Sequence, residues 1–403
     1  MPQASGVFKQ LAYKAETTYG VIPAAASAQS LRRVTSDIDL RKDTYQSNEI
    51  RTDQQMQDMR HGVRRVEGTI AGELSPKTYA DFIAAALRRD FTAGPSASSL
   101  SITIAGSGPT YTVTRSAGSW LTDGFKRGHV CRLTAGTFNV ANLNKNLLVA
   151  GITATVLTVR VLNGSALVAE GPIASATCAV TGKQTFAPTT GHTNKSFSIE
   201  HWFSDIAQSE VYSGCQPNQI DLQMPPTGLA TINIGMVGQG RTNAGSQYFT
   251  SPTAATATGL TASVNGLVLL GGVAIAVLTG LTLQIQSNRS GEPVVGSNVV
   301  PTMFPGRILA SGQATAYFED ATFRNAFDNE TELELIVVLS SDNSAASEFV
   351  GFTLPRVKLN GSAKSDGEGG IVQTIPYQAL LPLTGGSGIA NELTTVLCQD
   401  SAA

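Results

Sequence analysis

Residues 63–79 read Val63-Arg-Arg-Val-Glu-Gly-Thr-Ile-Ala-Gly-Glu-Leu74 and then Ser75-Pro76-Lys-Thr-Tyr79. The first piece reads as a β-strand. The second opens a helix: Ser75 is a good N-cap, Pro76 suits the first helical position, and Tyr79, Phe82, Ile83, Ala86 and Leu87 recur at helical spacing. The same pattern returns at Ile308-Leu-Ala-Ser-Gly-Gln-Ala-Thr-Ala-Tyr-Phe318, followed by Asp320-Ala-Thr-Phe-Arg-Asn-Ala-Phe327 with Asp320 as the expected cap. Setting Gly68 on Gly312 puts Leu74 on Phe318 and Tyr79 on Phe323.

Working outward, each copy is preceded by an alternating strand, with Ile38 and Leu40 in one and Leu283 and Ile285 in the other. A long polar segment follows each, and Asn48 and Asn298 sit in like places within them. The tails match as well. Phe197-Ser-Ile-Glu-His-Trp-Phe203 resembles Leu333-Glu-Leu-Ile-Val-Val-Leu339, and the stretch from Tyr212 lies over the stretch from Phe349. Ala230–Val237 and Gly370–Tyr377 close the two copies. The order strand, loop, strand, helix, strand, turn, strand, strand therefore occurs twice, which predicts a duplicated β-rich unit.

An extra segment, residues 97–187, interrupts the first copy after a Gly94-Pro-Ser-Ala-Ser-Ser99 linker. Its short strands, and turn residues such as Asn139, Asn142, Asn144 and Asn146, predict a small β-barrel that projects from the main body. The expected organisation is a first unit of residues 1–96 plus 188–245, the inserted barrel at 97–187, and a second unit at 246–403.

The chain has 403 residues, a net charge of −2, and only 14% charged residues against 42% hydrophobic. It lacks the basic excess of a protein that coats nucleic acid. So few charges suit a chain that buries much of its surface against copies of itself. Cys131, Cys178, Cys215 and Cys398 have no CxxC spacing and read as small buried thiols, compatible with a reducing cytoplasm. No apolar run follows Met1, so no signal peptide is expected.

Gly259–Ile285 contains no charge and invites a membrane test. Asn265-Gly266 and Gly271-Gly272 are turn signals inside it. The pieces between them, Leu267–Leu270, Val273–Leu278 and Thr279–Ile285, read as short buried strands, not a spanning helix.

No catalytic set assembles. His61, His129, His192 and His201 lack metal-ligand spacing, and no nucleophile or phosphate-loop motif occurs. Glu319-Asp320 reads as a helix cap region, and nothing converges on Glu73 and Asp81. No enzyme activity, cofactor, catalytic residue or metal is expected.

Charge instead concentrates at Arg41, Lys42, Asp43, Glu49, Arg51, Asp53, Asp58, Arg60, Arg64, Arg65 and Glu67. Mixed signs exclude a phosphate-binding stripe. The segment is either a solvated hairpin or an arm whose charges pair with another subunit. The matching loop of the second copy, Gln286–Gly306, is nearly uncharged. Its Met303 and Phe304 beside prolines, with Arg307 just beyond, predict a loop that something covers.

Taken together, Ser47-Asn48-Glu49-Ile50-Arg51 in a long loop, Gly68-Thr-Ile-Ala-Gly-Glu-Leu-Ser-Pro-Lys-Thr-Tyr79 and the closing Pro355-Arg-Val-Lys-Leu359 resemble the tail tube proteins of long-tailed bacteriophages. The resemblance implies a mainly β chain. It would hold two tandem tail-tube-type β-sandwich or barrel domains, each with a flanking helix, plus the inserted barrel on the outer surface. It also implies a structural subunit of a non-contractile tail: trimeric rings of pseudo-sixfold symmetry would stack by the 41–67 arm into a tube that conducts genomic DNA. Expected partners are further copies of the chain, the tape measure protein in the lumen, the terminator and the distal tail protein, with DNA passing non-specifically and no membrane. The protein would reside in the virion tail, and in the host cytoplasm during assembly. The rival expectations are a tail terminator or hub, and a β-rich surface adhesin.

Overall fold

The computed structural model describes residues 3–275, 277–384 and 389–403. The chain is mainly β, with two short helices, α1 (Ala80–Leu87) and α2 (Thr322–Asp328). The expected repeat is present in the strand pairing. In the first copy Met59–Glu73 lies between Asp39–Gln46 and Thr231–Gly238, and Gln208–Met224 joins Thr231–Gly238 to Phe197–Phe203. In the second, Leu309–Tyr317 lies between Leu278–Gln286 and Val372–Ala379, and Phe349–Leu359 joins Val372–Ala379 to Leu333–Ser340.

The Gly68–Gly312 match holds in atomic detail. A Cβ on Gly68 would lie 2.8 Å from the carbonyl oxygen of Asp37 and 2.5 Å from Ile38 Cα, and one on Gly312 would land on the carbonyl oxygen of Thr282. Both glycines let the preceding strand approach closely. One step on, Leu74 N–H donates to Ala230 O and Phe318 N–H to Ile371 O, each at a strand's exit toward its helix.

These bonds also correct the reading of the tails. Met236 faces Gly68 and Tyr377 faces Gly312, so Ala230 corresponds to Ile371, one residue beyond the expected Gly370. Ile199 faces Tyr212 and Leu335 faces Leu354, so Tyr212 corresponds to Leu354 rather than Phe349.

The two copies share one sheet. The second half of Gln208–Met224 pairs with Thr231–Gly238 on one side and with Leu278–Gln286 on the other. A single core runs beneath both, from Ile70, Phe82 and Ile220 to Leu283, Phe352 and Ile375.

Helix α1 starts later than expected. Lys77 has a left-handed φ of 68°, which stops a helix from running through Ser75-Pro76. Ser75 Oγ instead meets Thr78 Oγ1 at 2.6 Å. Every α1 residue except Asp81 is buried, whereas α2 buries only Ala326. The N-cap of α2 is Ala321, not the expected Asp320; Asp320, one residue earlier, accepts the Thr322 N–H on its Oδ1 at 2.7 Å and so braces the entry to the helix.

Within 259–285 the described residues from Gly266 on form short strands, after a 3-10 turn at Ser263–Asn265. Gly266–Leu270 turns through Gly271-Gly272, with φ of 59° and 83°, into Val273–Ala274. Ala276, part of the second expected strand, lies outside the described residues. Leu281, Leu283 and Ile285 are buried in alternation. No helix among the described residues is long and apolar enough to cross a membrane.

The insertion is a closed six-stranded barrel around Trp120, Phe125, Leu133 and Val159. No free linker leads to it: its first strand already starts at Ser96, where Ser96 and Ala97 pair with Ala179 and Cys178. Nor does it stand clear of the body. Its outer face, through Val130 and Leu148, shares a small core with Leu269, Ile336, Val338 and Phe349 of the second copy. The Gln399 amide brackets Val130 N–H and C=O at 2.8 Å each, and Asn146, read as a turn residue, is buried and donates to Ser347 O at 2.9 Å. The barrel thus interrupts the first copy and seats on the second. All four cysteines are free and buried.

Candidate self-assembly surfaces

The 41–67 segment is a hairpin. Asp39–Gln46 and Met59–Glu73 run antiparallel from Asp39 opposite Glu67 to Gln46 opposite Met59, and residues 47–58 form the tip. The tip packs against nothing else among the described residues: Ile50 is fully exposed, and Tyr45, Met56 and Met59 are exposed.

Its charges pair mostly with one another. Arg65 Nη1 lies 2.8 Å from Asp43 and its Nε 2.6 Å from Glu67, which also meets Arg41 at 3.5 Å. Arg51 reaches Asp53 at 2.9 Å, and Arg60 reaches Asp58 at 2.8 Å. The Arg51 guanidinium holds the Asp53 carboxyl below its usual range. At this exposure such pairs add little stability, so their geometric effect is to stiffen a projecting ribbon. Lys42 and Glu49 are exposed and form no ion pair among the described residues.

Arg64 stands apart at the base of the arm. Its backbone N–H donates to Asn298 O at 2.8 Å, and Arg64 bridges Val299, so the second copy's 286–306 loop folds down beside the first copy's arm. The two loops matched by sequence are brought together, yet differ in form: one projects and one packs. Met303 is accordingly covered by its own chain, with its sulfur packed over Gly291 near Val300. Phe304, Val294 and Val295 remain exposed, as does Arg307.

Arg289 anchors the packed loop. Its buried guanidinium donates to Ala85 O at 2.9 Å, Pro217 O at 3.1 Å, Gln216 Oε1 at 3.0 Å and Asn194 Oδ1 at 2.6 Å. All these acceptors are neutral. Burial, and next Arg88, pull its pKa down to about 10. The sequence reading passed over Arg289. The available signal was that it ends a long run without charge.

Two sheet margins also escaped that reading. Asp39–Gln46 and Thr35–Ser36 pair with Met59–Glu73 alone, and Ala363–Lys364 pairs with Val372–Ala379 alone. Each therefore has one side without a strand among the described residues. Such edges attract other strands unless protected.

Among the described residues no group of three or more His, Cys, Asp or Glu could hold a metal ion. His129 and His201 are buried, and burial pushes both pKa values down to about 3, assisted at His201 by Lys9 and Arg33. They are neutral structural groups. Glu73 and Asp81 do not converge: Asp81 accepts the Tyr13 hydroxyl at 2.9 Å.

The phage tail tube protein family model matches residues 9–379. The chain belongs to that family. The match spans both copies and the barrel between them, so it covers the arm, the packed loop and both sheet margins of this tail tube protein. The family is one of structural proteins of the phage tail, not of enzymes. Membership implies self-assembly, association with other tail proteins and a place in the virion tail. No curated protein matches the chain.

Proposed function

We propose that this tail tube protein builds a ring from three copies, whose six repeats stand in pseudo-sixfold order, and that rings stack into the hollow tube through which genomic DNA passes. The observation that carries this is the internal junction: two like units already share one sheet, joined through Gln208–Met224 and Leu278–Gln286. Continuing that joint from chain to chain removes the open margins.

In this reading the units are 1–96 with 188–245, 97–187 and 246–403. The exposed 41–67 ribbon crosses to the next ring. The barrel lies outside, where it leaves the bore clear. The tail is non-contractile. The tape measure protein fills the lumen before DNA does, and the terminator and distal tail protein close the ends. Subunits collect in the host cytoplasm before they enter the virion.

Negative-stain electron microscopy of the purified protein tests the proposal. Hollow tubes or stacked rings with threefold class averages are expected. Sixfold rings with six outer knobs would give one chain per position and overturn the trimer. Monomers that stay dispersed at every concentration would overturn the tube reading in favour of a terminator or hub.

A further inference from the structure

The two open margins correspond, residue by residue, to the two strands already joined inside the chain. At the internal junction Ile220 faces Ile285, Asp221 faces Gln284, Leu222 faces Leu283 and Met224 faces Leu281. On its other side, Asp221 faces Asn233 and Leu222 faces Ile232. In the second copy Ala363 faces Thr374 and Lys364 faces Gln373. Met236 and Tyr377 are equivalent, since they face Gly68 and Gly312, so Asn233 and Ile232 correspond to Thr374 and Gln373. Ala363 therefore occupies the place of Asp221, and Lys364 that of Leu222.

The opposite partner follows in the same way. Gln284 faces Ser311, the residue before Gly312, and Asp39 faces Glu67, the residue before Gly68. Asp39 occupies the place of Gln284, and Ile38 that of Leu283. Burial agrees, because Ile38 and Leu283 are each 2% exposed.

We propose that Ser362–Asp366 of one copy adds as an antiparallel strand to Ser36–Leu40 of the next, with Ala363 opposite Asp39 and Lys364 opposite Ile38. The occupant of each margin is thus a second copy of this chain, in a fixed register. This deepens the ring proposed above and rests on it only for closure of the ring.

Charge supports the register. It sets Asp366 opposite Ser36, the counterpart of Leu281. The Ser36 carbonyl there accepts the Lys9 ammonium at 2.7 Å, and Lys9 forms no ion pair among the described residues. Arg33 donates to Lys9 O beside it. The incoming carboxylate meets two cations that form no ion pair among the described residues, with Glu210, Asp37 and Asp39 acting on Lys9 from farther off. In the free subunit Lys9 covers that carbonyl, and Ala363–Asp366 is short, polar and exposed, which is how edges are kept from pairing at random.

Cysteine pairing in the full-length chain tests the register. Directly opposite Cα atoms in an antiparallel pair lie about 4.5–5.5 Å apart, inside the roughly 4.4–6.8 Å span of disulfides. A slip of one residue turns the side chain to the other face. The double variant Asp39→Cys with Ala363→Cys is expected to form intermolecular disulfides on mild oxidation. Asp39→Cys with Ser362→Cys or with Lys364→Cys is not, and neither is any single variant. Asp366→Lys is expected to raise the protein concentration needed for assembly several-fold. Thermal melts establish that each variant folds, and micrographs of the same samples record tubes.

Tubes without a 39–363 disulfide, or with stronger coupling at 362 or 364, would overturn the register and leave the tube reading intact. Covalent multimers without tubes would uphold the strand addition and sink the tube. Folded variants that show neither tubes nor cross-links would overturn both.

Discussion

Asp400, on the last strand, accepts the backbone N–H of Lys77 at 2.6 Å across 323 residues of chain. The residue that stops α1 from beginning at Ser75 is thereby held by the far end of the protein. Asp400 also accepts the Ala402 N–H at 2.9 Å. Its strand, Leu397–Asp400, lies between Phe349–Leu359 and Lys183–Phe186, and the latter pairs on with Thr92–Ala93, so the C-terminal segment helps tie the two copies together.

Asp400→Ala should therefore destabilise the whole subunit. Two part-buried donors lose an acceptor, at a cost of about 1–3 kcal/mol. The expected result is a lower urea midpoint with an unchanged slope. A midpoint that does not move would refute the role assigned to this contact.

Gly68→Ala and Gly312→Ala should each cost about 2–3 kcal/mol, because the added methyl meets neighbouring backbone that must shift. Gly245 has open space around it and no positive φ, so Gly245→Ala should be close to neutral. Equal effects at all three positions would contradict the close approach described for the two repeat glycines.

The arm separates folding from assembly. Ile50→Ser, or removal of residues 47–58, should leave the melting temperature within a degree or so, since the tip packs on nothing else among the described residues. Tubes should give way to single rings in the electron microscope. Tubes of normal length would show that stacking does not use the arm.

The seat of the barrel should respond to pH. Glu334 is buried beside Arg127, whose Nη2 lies 2.6 Å away. Burial pushes the Glu334 carboxyl up to about 7, and Arg127 offsets only part of this. The folded state then holds its proton more tightly than the unfolded chain, so this group's contribution to stability falls as pH rises from about 4.5 to about 7. Glu334→Gln should flatten that part of the stability profile. Melts of the two proteins across pH 4–8 check it, and identical slopes would exclude the effect.

Much of the repeat was legible because backbone crowding leaves a mark in sequence. Gly68 and Gly312 are required by the same close approach, and Leu74 and Phe318 follow at the same distance. The register of the tails was not legible. Leu333–Ser340 is buried on nearly every residue, and Phe349–Leu359 on both faces through Pro355, so alternation cannot fix alignment there. The start of α1 was hidden because its determinant, Asp400, is remote. What covers Met303 could not be read from sequence, because Gly291 and the fold of the loop reach it only in the tertiary structure. The barrel's seat did leave a trace: Leu147-Leu148-Val149 breaks the alternation of a one-sided strand, and all three residues are buried.

In the proposed tube the fixed seat of the barrel gains a further meaning. The barrel is bolted to the second copy by shared core, amide brackets and an ion pair, so it has no tether on which to swing. Barrels on successive rings would form a rigid lattice with one spacing along the axis and one around it. A partner with several weak binding heads set to that spacing would gain avidity by orders of magnitude over any single contact. A lone subunit would offer it almost nothing, so the outer wall could distinguish a finished tube from its unassembled parts.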